Sequence, residues 1–273
     1  MLSAGKLSLM EERKKMQQSA HNQRIIDQFT RWAKPFADLP LHAEAEAMAT
    51  TLAACASDRS SFVLDVACGP GILACALAER ARHVVGIDIT PAMIEQASAR
   101  QKGAGLSNLE WHVGDAAALP FEDGAFDVVT TRYSFHHMPQ PAAAMAEMKR
   151  VCRPGGRIVV IDATPAAAAQ AAYDRMETRR DPSHTSALTL DEIRGIGAST
   201  GLMEVLVEGY RLEARLDTLA DEADMAPLEA MFDADMVSGQ DRIGVGAWRD
   251  SAGIGFHFPV SIVAWTTTNG ANR

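Results

Sequence analysis

The first residues able to do chemistry are Asp65-Val66-Ala67-Cys68-Gly69-Pro70-Gly71-Ile72-Leu73, which follow the apolar run Phe62 to Leu64 and precede an alanine-rich, helix-forming stretch. A strand that ends in two glycines and opens a helix lets bare backbone amides approach a ligand in front of a helix N-terminus, as nucleotide cofactors require. Gly69-x-Gly71-x-x-Ala74 also fits the dinucleotide fingerprint. Asp65 departs from it, placing a carboxylate where a dinucleotide site keeps an apolar side chain. Val84-Val85-Gly86-Ile87-Asp88 ends a second apolar run in an acid 17 residues past Gly71, placed to accept hydrogen bonds from both ribose hydroxyls. Trp111-His112-Val113-Gly114-Asp115-Ala116 ends a third run in another acid. Three acids therefore close three strands on one carboxyl edge of a sheet.

Leu119-Pro120-Phe121, Phe126-Asp127-Val128-Val129 and Arg150-Val151-Cys152-Arg153-Pro154-Gly155-Gly156 continue this order. From about Phe62 to Asp162 the chain resembles the class I S-adenosylmethionine-dependent methyltransferases of the type 11, UbiE-like group. The resemblance implies a doubly wound, Rossmann-like α/β fold with a seven-stranded sheet and helical cap elements. It also implies S-adenosylmethionine as cofactor, released as S-adenosylhomocysteine. Carried onto this sequence, Ala67, Gly69 and Gly71 belong to the cofactor turn, Asp65 would hold the amino-acid end directly or through water, and Arg132 is a further cofactor-binding residue. Asp88 would take the ribose, the Asp115 carboxylate the exocyclic amine of adenine, and the Ala116 amide, beside Gly114, a ring nitrogen. Ile89 and Met93 would pack on the base. The acceptor stays open, because the group methylates quinones, phenols, sugars, amines and carbon centres alike.

Two further clusters could serve the reaction. Arg132-Tyr133-Ser134-Phe135-His136-His137 follows the fourth strand, where this fold places residues beside the transferable methyl group. Paired histidines there occur in relatives with unrelated substrates, which favours a structural role. Glu177, Arg179, Arg180, Asp181, Pro182, Ser183 and His184 form a charged loop after the fifth strand, a salt-bridged cap segment on the bland reading. An acceptor that must lose a proton needs a base, and histidine titrates near neutrality. His184, His136 and Arg132 are therefore the catalytic candidates, with Arg132 paired to Asp181 or Glu177. Phe29, Trp32, Tyr133, His137 and Asp181 are the candidates for holding a small aromatic or apolar acceptor.

The elements that would carry these groups alternate as a doubly wound sheet should. Strands are expected near 62–67, 83–87, 109–113, 126–131 and 157–162, with helices near 71–81, 91–102 and 140–152. Thr90-Pro91 reads as a cap followed by a favoured N1 proline. Met10 to Phe36 carries Ile25, Ile26, Phe29, Trp32 and Phe36 at helical steps, and a second helix spans Leu41 to Ala56. Later come helices over 166–179 and 189–199, a strand over 204–212, a helical acidic segment over 217–250 and a last strand over 256–265. The expected division is an N-terminal cap over 1–45, a cofactor-binding core over 46–163, and over 164–273 the rest of the sheet with a cap inserted at about 213–252.

Composition bounds the rest. A chain of 273 residues with 47% hydrophobic content can build one large α/β domain. A net charge of −9 argues against a nucleic-acid partner. No apolar stretch nears the ~20 residues of a membrane span, and no signal-peptide core is seen, so a cytoplasmic protein without membrane contact is expected. A homodimer is compatible with the sequence. Cys55, Cys68, Cys75 and Cys152 lack metal spacing and read as free, mostly buried thiols, with no metal site. Two other classes fit part of the pattern. One is a catalytically silent S-adenosylmethionine-binding regulator, and the other an NAD(P)-dependent oxidoreductase.

Overall fold

The computed structural model describes residues 18–34 and 44–268. Residues 10–17, Phe36 and Leu41, expected in the first two helices, lie outside the described residues, as does most of the 1–45 segment. Helix α1 covers 18–34. After it come α2 (Ala45–Cys55), β1 (Phe62–Val66), α3 (Ile72–Ala78), β2 (His83–Asp88), α4 (Pro91–Gly103), β3 (Leu109–Val113) and β4 (Phe126–Arg132). A 3-10 turn over Phe135–His137 leads to α5 (Pro141–Val151), β5 (Cys152–Ala163), α6 (Gln170–Arg180), α7 (Leu190–Ser199) and β6 (Met203–Arg215). Helices α8 (Leu216–Leu219) and α9 (Glu222–Ser238) precede β7 (Trp248–Asp250) and β8 (Gly253–Thr266).

Seven strands form the order β3-β2-β1-β4-β5-β8-β6, and short β7 pairs with β8 as an eighth. The first five are parallel; β8 inserts antiparallel between β5 and β6. The order reverses between β1 and β4, so the crevice beyond their carboxyl ends is where an open α/β sheet binds ligands. The central strands are buried on both faces, with period-two alternation deciding which residue meets which layer. Val63, Val128, Val159 and Ile161 pack with α2 and α3. Leu64, Val129, Ile158 and Val160 pack on the opposite side with α5 and α7. A third cluster joins Tyr173 and Met176 of α6 to Leu228 and Phe232 of α9 over Phe256.

Several boundaries differ from expectation. Thr90 precedes α4, yet its side chain caps nothing; its amide donates to the Asp88 Oδ1 at 2.8 Å, which holds the turn instead. Thr189 forms the full capping box with Glu192 that its position promised. The 217–250 segment is not helical throughout: α9 ends at Gly239 in the left-handed conformation, and Trp248–Asp250 pairs with β8. All four cysteines are free and buried. Among the described residues no helix is long and apolar enough to cross a membrane, and no group of three His, Cys, Asp or Glu side chains could hold a metal ion.

Candidate active site

Two adjoining cavities open at the crevice. The first, about 1100 Å³, is lined from the strand ends by Asp65, Ala67, Gly69, Asp88, Ile89, Met93, Gly114, Asp115, Ala116 and Arg132. All the cofactor-binding candidates except Gly71 are in this wall. Asp65 is buried, and its Oδ2 has no hydrogen-bond partner among the described residues. Burial pushes its pKa up to about 7, against the pull of the Arg132 charge and with the Asp88 charge adding to the rise. An orphaned, destabilised carboxylate in a cavity wall fits a ligand ammonium. Asp88 also has its pKa raised by burial, opposed by hydrogen bonds from the Thr90 and Gly69 amides, the latter at 2.9 Å. Asp115 accepts from the Ala117 amide at 2.9 Å and from Asn22 Nδ2 at 2.8 Å.

The glycine turn divides its work. Gly69 has φ +53° with nothing within 4 Å of the place a Cβ would take, so this is the backbone that a ligand can approach. Gly71 does not line the cavity. A Cβ there would lie 2.7 Å from the Trp111 ring and 2.9 Å from Ala97 Cβ, at φ +74°. It serves the turn into α3 and the seat of Trp111, which corrects its assignment to ligand approach. Two non-glycine residues, Ala67 (φ 53°) and Tyr133 (φ 57°), are also held in the left-handed region, one after β1 and one after β4. Strain of this kind collects at functional sites.

The second cavity, about 790 Å³, shares Phe29, Tyr133 and His137 with the first. Trp32, Tyr173, Leu212, Leu219, Phe258 and Val260 line it, with Gln28, His136, Glu177, Arg180 and Asp181 among its polar residues. All five acceptor candidates, Phe29, Trp32, Tyr133, His137 and Asp181, meet there; from the 217–250 segment only Leu219 does. Arg132 lines the first cavity, its guanidinium 5.0 Å from the Tyr133 ring centroid. The expected partners of Arg132 are engaged elsewhere: Glu177 binds Arg180 at 2.6 Å, and Asp181 accepts from the Ser183 hydroxyl at 2.6 Å.

The histidines separate clearly. His136 Nδ1 lies 2.5 Å from Asp162 Oδ1, and Asp162 is almost fully buried at the end of β5. Burial works to lower the His136 pKa, but the Asp162 charge and hydrogen bond, with Glu177 and Asp181 behind them, leave it above 6.5. His137 is buried and its pKa falls, first through burial and then through the neighbouring His136. His184 lines neither cavity. Its side chain is wholly buried, Nε2 lies 2.8 Å from Asp174 Oδ1, and burial and then His136 lower its pKa. The expectation that His184 is a base is therefore corrected: it ties the 181–187 loop to α6. Asp162, missed from sequence, is the added member of the site.

A sheet of this order, with the reversed β8 and a cavity bounded by three strand-end acids, defines the class I methyltransferase fold. The profile of a family described as a methyltransferase domain, type 11, matches residues 64–160. The YcgJ methyltransferase of Bacillus subtilis is 28% identical over 192 residues, covering 70% of this chain and 76% of its own. Its crystal structure superposes with a TM-score of 0.75 at 22% identity, over 82% of this chain and 99% of that one. The demethylmenaquinone methyltransferase of Thermus thermophilus is 43% identical over 105 residues, 38% of this chain and 47% of the relative. The match thus spans about half the length of that quinone methyltransferase. Residues 64–160 thus match a type 11 methyltransferase domain, and over that core the chain is similar to the UbiE-like S-adenosylmethionine-dependent methyltransferases. That similarity favours the methyltransferase reading of the glycine turn over the dinucleotide one.

Proposed function

We propose that this enzyme methylates an apolar or aromatic small molecule that carries an ionisable proton, with His136 as general base. The observation that carries the reading is the pair of cavities joined through Phe29, Tyr133 and His137, one bounded by strand-end acids and the other by rings, aliphatic side chains and the His136–Asp162 pair. When bound, S-adenosylmethionine supplies an electrophilic methyl group on its sulfonium. Asp65 and Arg132 would hold its amino-acid end, Asp88 the ribose, Asp115 and Ala116 the base edge, Ile89 and Met93 the base faces, with Ala67 and Gly69 giving backbone access.

The protein's own work is placement and proton transfer. Phe29, Trp32 and Tyr133 hold the acceptor and exclude water, and alignment of the reacting atoms is worth up to ~7–11 kcal/mol in favourable cases. Asp162 fixes the Nδ1 proton of His136, which makes Nε2 the basic atom. His136 takes the proton of a hydroxyl, enol or ring N–H, and Asp162, Glu177 and Asp181 stabilise the resulting imidazolium. His137, kept neutral, acts as wall. A quinol is one such acceptor, the kind to which the name of the demethylmenaquinone methyltransferase relative points.

The test is titration calorimetry with S-adenosylmethionine, S-adenosylhomocysteine, NAD and NADP on the protein and on Asp88→Ala, then transfer of a labelled methyl group to quinols, phenols and amines. Micromolar binding of the first two ligands, lost in the variant, and label on hydroxylated aromatics are expected. Dinucleotide binding would overturn the cofactor assignment. Bound cofactor with no label on any acceptor would favour a silent regulator.

A further inference from the structure

We infer that α1 reads the base of the cofactor and, as one rod, also builds the roof of the acceptor cavity, so that cofactor binding assembles the acceptor site. This rests on the reading of the first cavity as the S-adenosylmethionine pocket.

Gln18, Asn22, Ile25 and Phe29 fall at steps of four, three and four, one face of a helix, and all line the first cavity. Gln28, Phe29 and Trp32 line the second. Polarity orders the first two. Asp115 can only accept, so Asn22 must turn Nδ2 towards it, at 2.8 Å. Asn22 Oδ1 then faces back along the helix, and Gln18 Nε2 donates to it at 2.9 Å. Gln18 Oε1 is what remains, a buried acceptor with no partner among the described residues. A 6-aminopurine has two exocyclic N–H donors and needs two acceptors. The Asp115 carboxylate, which can accept more bonds than the two it holds, is one; Gln18 Oε1 is the other. A 6-oxopurine would set its oxygen against both.

The same helix is pinned to the other cavity. His21 Nε2 lies 2.7 Å from the His137 carbonyl, its ring braced within the helix by Arg24, and Arg31 pairs with Asp221 at 3.0 Å. Gln18 and Trp32 are 14 residues apart, about 21 Å along a rigid helix. Base contacts at one end therefore set Phe29 and Trp32 at the other, and the acceptor binds second.

The test compares S-adenosylhomocysteine with S-inosylhomocysteine by calorimetry, on the full chain and on Gln18→Met and Asn22→Ala, with Tm recorded for each. The wild-type protein should prefer the adenosyl ligand. Each variant should bind it about 3- to 10-fold more weakly, the range expected for one hydrogen bond, with the inosyl ligand little changed. The ligand-induced change in Trp32 emission, isolated by subtracting Trp32→Phe, should shrink in Asn22→Ala. Wild-type affinity and preference in both variants, or equal loss of both ligands at unchanged Tm, would overturn the role of α1 while leaving the cofactor assignment standing. If the unmodified protein bound neither nucleoside, the pocket assignment would fail and this inference with it.

Discussion

Asp65→Asn should make the ligand-free protein more stable, and the gain should grow with pH. Asp65 lies at the end of the central strand β1 with 1% of its surface exposed. Burial raises its pKa from 3.8 to about 7. Between those values the folded chain binds more protons than the unfolded one, so stability falls as pH rises, and above the folded pKa the loss is complete. At 1.36 kcal/mol per unit, the missing stability is about 2 kcal/mol near pH 5 and about 4 kcal/mol near pH 8. Asparagine keeps the shape and does not titrate. Its own desolvation is independent of pH and cancels in the comparison, leaving a gain about 2 to 3 kcal/mol larger near pH 8 than near pH 5. Urea denaturation of both proteins at the two pH values measures this directly. A difference that does not change with pH would refute the burial argument. The same substitution should weaken S-adenosylmethionine binding, because the ligand ammonium loses its counter-charge, and saturating ligand should shrink the pH-dependent gain. The carboxylate would then be a cost borne by the empty fold and offset when a cation arrives.

Two other expectations follow from geometry. Because the His136 pKa is raised, its basic form appears only as pH climbs through that raised value, so methyl transfer to a hydroxylated acceptor should rise with pH there. Asp162→Asn should move the midpoint to lower pH and slow transfer by ~100- to 10,000-fold, and an unmoved profile would remove His136 as base. Gly71→Ala should cost about 1–3 kcal/mol of stability by thermal unfolding, since the methyl meets Trp111 and Ala97. Gly69→Ala meets no neighbour, so its stability cost should be that of a left-handed φ alone and smaller than that of Gly71→Ala, while calorimetry should show a loss of cofactor affinity.

What could be read from the chain alone was whatever is encoded within a few residues. Asp65, Asp88 and Asp115 each close an apolar run, and parallel strands bring such ends to one edge whatever the loops between them do. That is why the wall of the first cavity was legible almost residue by residue. Gly71 was misjudged because its neighbours Ala97 and Trp111 are 26 and 40 positions away, and no local pattern distinguishes a glycine that faces a ligand from one that seats a ring. His184 looked reactive in a charged loop, but Asp174, ten residues back on α6, draws its ring inward. Asn22 meets Asp115 across 93 positions, a pairing that only the docked helix reveals. Asp162 is a different case. It sits near the end of Ile158-Val159-Val160-Ile161-Asp162, an apolar run closed by an acid on the same edge as the other three. The rule that found the other three acids applies to it unchanged, and the strand order places it next to β4, beside the histidines rather than in the wall of the first cavity. The acids that close β1, β2 and β3 therefore line the first cavity, while the acid of β5 holds His136 at the second, so strand order separates what residue type alone leaves open.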